Sequence, residues 1–368
     1  MRILQIITRV NRGGTARWID VLINGLKEAE VDCLLAAGLV QRDEKEDEAF
    51  QKYSGIRIGR LGRSISIFDD AKALFQLRRI IRKVKPDLVN THTSKAGALG
   101  RLATIGLGKD RPAVVHTFHG HLLYGYFGPI KRNLVIIVER ILSQFTDFYI
   151  SSGSIVRNDL LSEGVGIESE YTVIKPGVED FALVAKHEIR NRLGISSDAI
   201  VVGWLGRMVN IKRPEMAIEI ARQLPKIVFL MAGDGELLEQ SKLDAPPNVI
   251  FTGWSTPAEI WGASDIALLT SENEAQPISL VEAGYAKLPC VAISVGSISE
   301  VITHGVTGYL GQSINDLVKY IEVLSTDSAK RILLGTSARE KMLTEFSVSS
   351  FISNHISAYK EAIEIHRK

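Results

Sequence analysis

Asp265 to Ser294 reads "DIALLTSENEAQPISLVEAGYAKLPCVAIS". Both ends are short apolar runs, the composition of a strand buried on both faces of a sheet. Between them lie a polar loop and a segment of helical period over 277–286. Pro277 suits the first helical position, where its missing N–H is harmless. Strand, helix and strand in succession argue a parallel sheet flanked by helices. Of its three glutamates, Glu274 and Glu282 stand eight residues apart. Residues three, four or seven apart share a helical face, and this spacing drifts off it. Glu274 falls in the loop before the helix and Glu282 in its second turn. The free N–H groups near Ile278 and Ser279 lie between them and suit a phosphate. A carboxylate beside a diphosphate is repelled, so the glutamates read as acceptors of hydrogen bonds from hydroxyls. The bland alternative has Glu274 complementing the helix dipole and Glu282 as a solvated surface residue.

The same rhythm runs through the chain. "RILQII", "DCLLAAG", "DLVNTH", "AVVHTFHG" and "DFYISS" read as strands in the first half, alternating with helical segments. "EDEAFQKY" (46–53) reads as a charged, exposed connection. "FDDAKALFQLRRIIRKVK" is a helix ended by Pro86. In the second half "AIVVGWLGR", "KIVFLMAG" and "NVIFTG" precede the opening stretch, with helices at 213–223 and 256–263. Two such halves in 368 residues predict two doubly wound domains. "IKPGV" (Ile174–Val178) is the expected hinge. The boundaries are 1–176, joined by a C-terminal helix over 350–368, and 177–349. Ligands of such sheets bind at the carboxyl ends of strands, so the cleft between the domains is where motifs are sought.

Hydrophobic content of 45% and charged content of 23% are ordinary for a globular protein. Cys33 and Cys290 sit in apolar runs and read as buried reduced thiols. No CxxC or HExxH pattern occurs, so no structural zinc is expected. The N-terminal apolar run is short and interrupted by Arg9, unlike a signal segment. "NLVIIVERIL" is broken by Glu139 and Arg140, so no membrane span is expected either. The protein is expected to be cytoplasmic. The net charge of +2 hides an asymmetry, with a basic first half and an acidic second half. "LRRIIRKVK" gathers Arg78, Arg79, Arg82, Lys83 and Lys85 on one helical segment. Two readings stay open: a solvated face, or a dock on an anionic membrane. No nucleic-acid partner is expected.

Several strand ends carry candidates for chemistry. Gly13 and Gly14 follow the first strand and let backbone N–H groups approach an anion at a helix start. The loop is not GxGxxG, so a dinucleotide site is a weak reading, and an ordinary tight turn is the alternative. His92, His116, His119 and His121 follow or end strands. No nearby carboxylate or helical pair makes them a metal site. His119 lies just before Gly120, where the strand should end, which opens it to the cleft. Arg207 ends a strand and Lys212 follows it, a pair of cations suited to a diphosphate. Trp254 follows "NVIFTG" and either leans on a nucleotide base or packs the core.

In this order the Gly-Gly loop, "HTSKAGALGRLA", "HTFHGH", "GRMVNIKRPE", "GDGE", "NVIFTGW" and the paired glutamates resemble family 4 of the retaining nucleotide-sugar glycosyltransferases. The likeness spans nearly the whole chain, and "HTSKAG" with "HTFHGH" is similar to bacterial enzymes of surface polysaccharide. The resemblance implies the GT-B fold, two Rossmann-like domains facing a cleft, with the last helix crossing back to the first. It implies that the first domain binds the acceptor and the second the donor. Gly13 and Gly14 would lie by the donor, Arg207 and Lys212 would neutralise its diphosphate, and Glu274 would hold its sugar hydroxyls. Ile278 and Ser279 would meet phosphate, Glu282 the ribose, Trp254 the base, and His119 the anomeric centre. It implies no metal and no cofactor, a nucleoside diphosphate sugar (probably UDP-linked) as substrate, and a glycan or lipid-linked acceptor. The basic helix and the loop "HLLYGYFGPIKR" would then meet a membrane surface. A nucleotide-sugar epimerase and a non-catalytic nucleotide-sugar-binding protein are the rival readings. A nicotinamide dehydrogenase is disfavoured by the missing GxGxxG. The chain departs from the family pattern at Ala275, Pro277, Lys287 and Ser297, where glycines are usual, and at "KPG" for "NG". None of these removes a charge.

Overall fold

The computed structural model describes residues 1–11, 13–41, 45–62, 64–120 and 129–368. The chain divides into two units, Met1–Gly177 with Val348–Lys368, and Val178–Ser347.

In the first unit seven strands form a parallel sheet: β1 Arg2–Ile7, β2 Asp32–Ala37, β3 Ile56–Arg57, β4 Leu88–His92, β5 Ala113–Phe118, β6 Phe148–Ser151 and β7 Tyr171–Val173. Their order is β3-β2-β1-β4-β5-β6-β7. The strand order therefore reverses between β1 and β4, which pair with Ile7 opposite His92. β4 and β5 are buried throughout, as strands covered on both faces should be, although Asn90, Thr91, His92, His116 and Thr117 put polar side chains among the apolar ones. The Ile67–Val84 helix starts where Ser66 Oγ accepts from Asp69 N–H (3.4 Å). It stops where Lys85 turns left-handed ahead of Pro86. The Val348–Arg367 helix packs on the Gly14–Glu28 helix and buries Phe351, Ile352, His355 and Tyr359. Gly25 permits that approach, because a Cβ there would lie 2.4 Å from the Ile352 side chain. The expected return of the last helix to the first domain is thus observed.

The second unit has β8 Val201–Leu205, β9 Val228–Ala232, β10 Val249–Gly253, β11 Ile266–Leu269, β12 Cys290–Ile293 and β13 Gly308–Gly311. They form a six-stranded parallel sheet in the order β10-β9-β8-β11-β12-β13, with the switch between β8 and β11. The opening stretch is β11, the Ile278–Tyr285 helix and β12, with Ala267 opposite Cys290.

Three readings need correction, and three elements were not read at all. Pro277 is not the first helical residue but precedes it, with φ −74° and ψ 98°. Its carbonyl accepts from Leu280 N–H (3.0 Å), so it begins the ladder while its own backbone stays extended. The 46–53 segment is no simple exposed connection. It contains a short helix, Ala49–Lys52, in which Ala49 and Phe50 are buried. Arg78 does not share the exposed basic face, since its Nη1 donates to Ile105 O and its Nη2 to Gly106 O (3.2 Å). The elements β13, Ile314–Thr326 and Ser328–Glu345 carry no counterpart in the sequence reading; β13 is a glycine-bounded "GYLG" without an apolar run.

Candidate active site

The two switch points collect most of the singled-out residues. In the first unit Gly13 and Gly14 follow β1, His92 ends β4, and His119 follows β5. Gly13 has φ +154°, with nothing within 4 Å of where a Cβ would sit, so the loop needs glycine for its backbone rather than for space. Gly14 opens the Gly14–Glu28 helix, which has no side-chain cap. The first-turn N–H groups, which lack an intrahelical acceptor in any helix, therefore receive none from a capping side chain here.

His119 is half-buried against Trp18, with ring centroids 5.0 Å apart and edge to face. Its Nε2 lies 2.8 Å from His92 Nδ1. Burial pushes the His119 imidazole down to about 3, with His355 adding to the effect. Burial likewise holds His92 and His116 well below the ordinary histidine value and His355 at about 4. All four are neutral near pH 7, so His119 offers hydrogen bonds and not a positive charge. His116 turns inward to Thr91 Oγ1 (2.8 Å) and has no place at the strand ends. His121 and most of "HLLYGYFGPIKR" lie outside the described residues.

In the second unit the loops after β8 and β11 meet across the switch. Glu272 N–H donates to Ile211 O (2.9 Å). Thr270 Oγ1 bonds the carbonyls of Lys212 (3.0 Å) and Arg213 (2.9 Å) and accepts from buried Trp204 Nε1 (3.0 Å). Lys212 closes the short turn Asn210–Lys212 and its ammonium pairs with the Glu274 carboxylate. Ser271 Oγ donates to the same carboxylate oxygen (2.7 Å). The Glu274 backbone is pinned as well, since Ser297 N–H donates to its carbonyl (2.9 Å). Gly296 holds φ +50° there, and a Cβ would fall 2.1 Å from that same carbonyl oxygen. Arg207 projects from the end of β8 into solvent, with no side-chain partner among the described residues. The Ile278–Tyr285 helix has no side-chain cap, because a proline ring supplies no acceptor. Its Ile278 and Ser279 are half-buried.

Glu282 is 2% exposed, so it is not a solvated surface residue. Trp254 is 74% exposed after Gly253 (φ +67°), which excludes the core reading. It stands at the end of β10, two strands from β8, and is not brought beside the Lys212–Glu274 pair. The sequence reading missed residues that hold each switch point rather than line it: Trp18 in the first unit, and Thr270, Ser271 and Gly296 in the second. It also gave little weight to Gly233, where a Cβ would sit 1.8 Å from Gly206 O and push the β8 and β9 loops apart. Among the described residues no three His, Cys, Asp or Glu side chains gather as a cation site. No helix of them is long and apolar enough to cross a membrane. Cys33 and Cys290 are free, with burial raising both thiols to about 12.

Residues 12–180 match the profile "Glycosyltransferase Family 4", and residues 185–341 match "Glycosyl transferases group 1". An Escherichia coli UDP-Gal:alpha-D-GlcNAc-diphosphoundecaprenol alpha-1,3-galactosyltransferase is 29% identical over 78% of this chain and 79% of its own. The Staphylococcus aureus capsular polysaccharide biosynthesis glycosyltransferase CapM is 23% identical over 77% and 79%. Among solved structures, Anabaena HepE in complex with UDP and glucose superposes with a TM-score of 0.84 at 18% identity, covering 98% of this chain and 99% of that one. Sucrose-phosphate synthase from Thermosynechococcus elongatus gives 0.82 at 18%, covering 99% and 100%. With two doubly wound units, a last helix returned to the first of them, and both profiles matched in order, the chain belongs to the GT-B glycosyltransferases that join a family 4 domain to a group 1 domain.

Proposed function

We propose that this glycosyltransferase is a retaining, metal-independent enzyme that moves a sugar from a UDP-linked donor to a glycan or lipid-linked acceptor in bacterial surface polysaccharide synthesis. One observation carries the reading. The second unit sets Arg207, the Lys212–Glu274 pair and an uncapped helix start on the two sides of one switch point. The transition state puts positive charge on the sugar and negative charge on the departing diphosphate. Arg207 and Lys212 answer the second charge without a divalent ion, and the N–H groups of Ile278 and Ser279 add to them. Glu274, held by Lys212 and Ser271, accepts from sugar hydroxyls, and Glu282 accepts from the ribose. Trp254 offers its exposed ring to the base. In the first unit Gly13 and Gly14 give the donor a close backbone approach, and His119 faces the reacting sugar. UDP is the nucleotide in the name of the first relative and in the HepE complex. A melting screen tests the donor. UDP and a UDP-sugar should raise the melting temperature more than GDP or ADP counterparts at equal concentration. Equal or absent shifts for all three would remove the UDP assignment.

We also propose that the first unit rests on an anionic bilayer. The Pro129–Ser143 helix turns Ile130, Leu134, Ile137 and Ile141 outward, each more than half exposed, at positions that share one helical face. On the Ile67–Val84 helix Phe68 and Phe75 are 82% and 71% exposed, in line with exposed Arg79, Arg82 and Lys83. The Ser94–Ala103 helix packs against both helices. Apolar side chains beside basic ones fit the boundary of acidic headgroups and acyl chains. The protein should sediment with vesicles containing phosphatidylglycerol, less so at higher salt, and Ile137→Asp should weaken it. Failure to sediment at low salt would end the idea.

A further inference from the structure

Beneath the carboxyl ends of β1, β4 and β5, a row of polar side chains runs from the C-terminal helix to His119. Thr117 Oγ1 donates to Asn90 Oδ1 (2.9 Å), which turns Asn90 Nδ2 toward the Tyr359 hydroxyl oxygen (2.8 Å). Gln5 Nε2 lies 3.2 Å from that oxygen, and Gln5 Oε1 lies 2.8 Å from His92 Nε2. His92 Nδ1 then meets His119 Nε2. Gln5, Asn90, His92, Thr117 and Tyr359 are all buried, at 1% exposure or less.

Chemistry gives the row a direction. An amide carbonyl only accepts, so His92 carries its proton on Nε2. A neutral His92 has a bare Nδ1, which must accept, so His119 donates from Nε2. A neutral His119 then has a bare Nδ1. Among the described residues the His119 ring makes one hydrogen bond, the one from Nε2 to His92. The reverse order would have the Tyr359 O–H donate to the Gln5 carbonyl and would move each ring proton to the other nitrogen. O–H···O bonds run about 2.5–3.0 Å, whereas N–H···O bonds reach about 3.2 Å. The observed 3.2 Å therefore fits the amide as donor.

We propose that Tyr359 and Gln5 are positioning residues for glycosyl transfer: through His92 they lock His119 in its Nε2–H tautomer, which keeps Nδ1 as a hydrogen-bond acceptor for a substrate sugar hydroxyl. The inference rests on the transferase reading for its substrate, but the tautomer stands apart from it. With its basicity suppressed by burial, His119 accepts that hydrogen bond without taking the proton. The C-terminal helix thereby acts on the reacting end of the first unit through a side chain that touches no substrate.

Long-range proton–nitrogen correlation on the full chain with labelled histidine rings reads the tautomer directly. At pH 7 the expected proton of both His92 and His119 is on Nε2. Tyr359→Phe keeps the ring but removes the oxygen, and Gln5→Met removes the amide. Both should mix the His119 tautomers and lower kcat about 3–10-fold, the loss of one hydrogen bond. An Nδ1–H form in the unaltered protein would overturn the proposal, as would variants that keep the tautomer. Mixed tautomers with unchanged kcat would overturn the positioning role. The spectrum needs no substrate. An inverted tautomer therefore fails the relay alone, and a correct tautomer in a protein that transfers no sugar fails the transferase reading alone.

Discussion

Arg207→Ala should lower turnover by about 10²–10³-fold, the usual cost of removing one fixed donor from a developing anion. Arg207 is exposed and has no side-chain partner among the described residues, so the folded protein does not depend on it. Its melting temperature should stay that of the parent, and the rate loss can then be assigned to the reaction. Lys212→Ala should show a loss of the same order for a partly different reason. It removes a cation from the diphosphate and also frees the Glu274 carboxylate, which keeps only the Ser271 hydroxyl as a side-chain partner among the described residues. The pair is partly solvated, with side chains 22% and 11% exposed, so its stability contribution should be about 1 kcal/mol or less. The check is UDP release by each purified variant at saturating donor. Near-parental turnover in both would remove the diphosphate role from this switch point.

Arg101→Met should cost about 3–5 kcal/mol of stability, because it strands a buried carboxylate. Arg101 Nη2 reaches both Glu139 oxygens (3.0 and 2.8 Å), and its Nε donates to Gly97 O (2.9 Å). The side chains are 0% and 3% exposed, so neither charge has water to turn to. The pair ties the Ser94–Ala103 helix to the Pro129–Ser143 helix, which carries the exposed apolar stripe. Since domains hold only about 5–15 kcal/mol in reserve, the variant should be hard to keep folded. Arg101→Met with Glu139→Met should recover most of the loss, since two apolar groups leave nothing unpaired. Chemical denaturation of the three proteins decides it. A single-variant cost under about 1 kcal/mol would mean that the pair is hydrated or broken in solution.

Glu139 also shows where the sequence was legible and where it was not. As a residue in "NLVIIVERIL" it reads as the charge that breaks an apolar run. Its partner lies on another helix, and no local spacing points to it. Strand ends, by contrast, were readable from apolar runs closed by Gly, Arg or His. That placed Gly13, His119, Arg207 and Glu274 at the correct edge of each sheet. What the runs could not give was pairing across the switch points, which depends on the strand order. The sequence assigns Lys212 and Glu274 to different parts of the donor, yet the two side chains touch each other. For Trp254 the sequence leaves base and core both open, and a left-handed Gly253 with the ring exposed removes the core. Lys287 stands where the family has glycine, and its φ of +58° explains that preference. The tautomer of His119 depends on Gln5 and Tyr359, which are far apart in the chain, one in an apolar strand and one in an amphipathic helix, with no local spacing that links them.

Transfer with retention can be read directly from the product. The full protein would be incubated with a UDP-hexose, a polyprenyl-diphosphate-linked sugar and a chelator. UDP release and the anomeric configuration of the new bond would be read by magnetic resonance. The expected result is UDP formed one for one with a new glycosidic bond of the donor's own configuration, unaffected by the chelator. An inverted bond, a reaction abolished by chelation, a donor epimerised without acceptor, or binding with no turnover would contradict it.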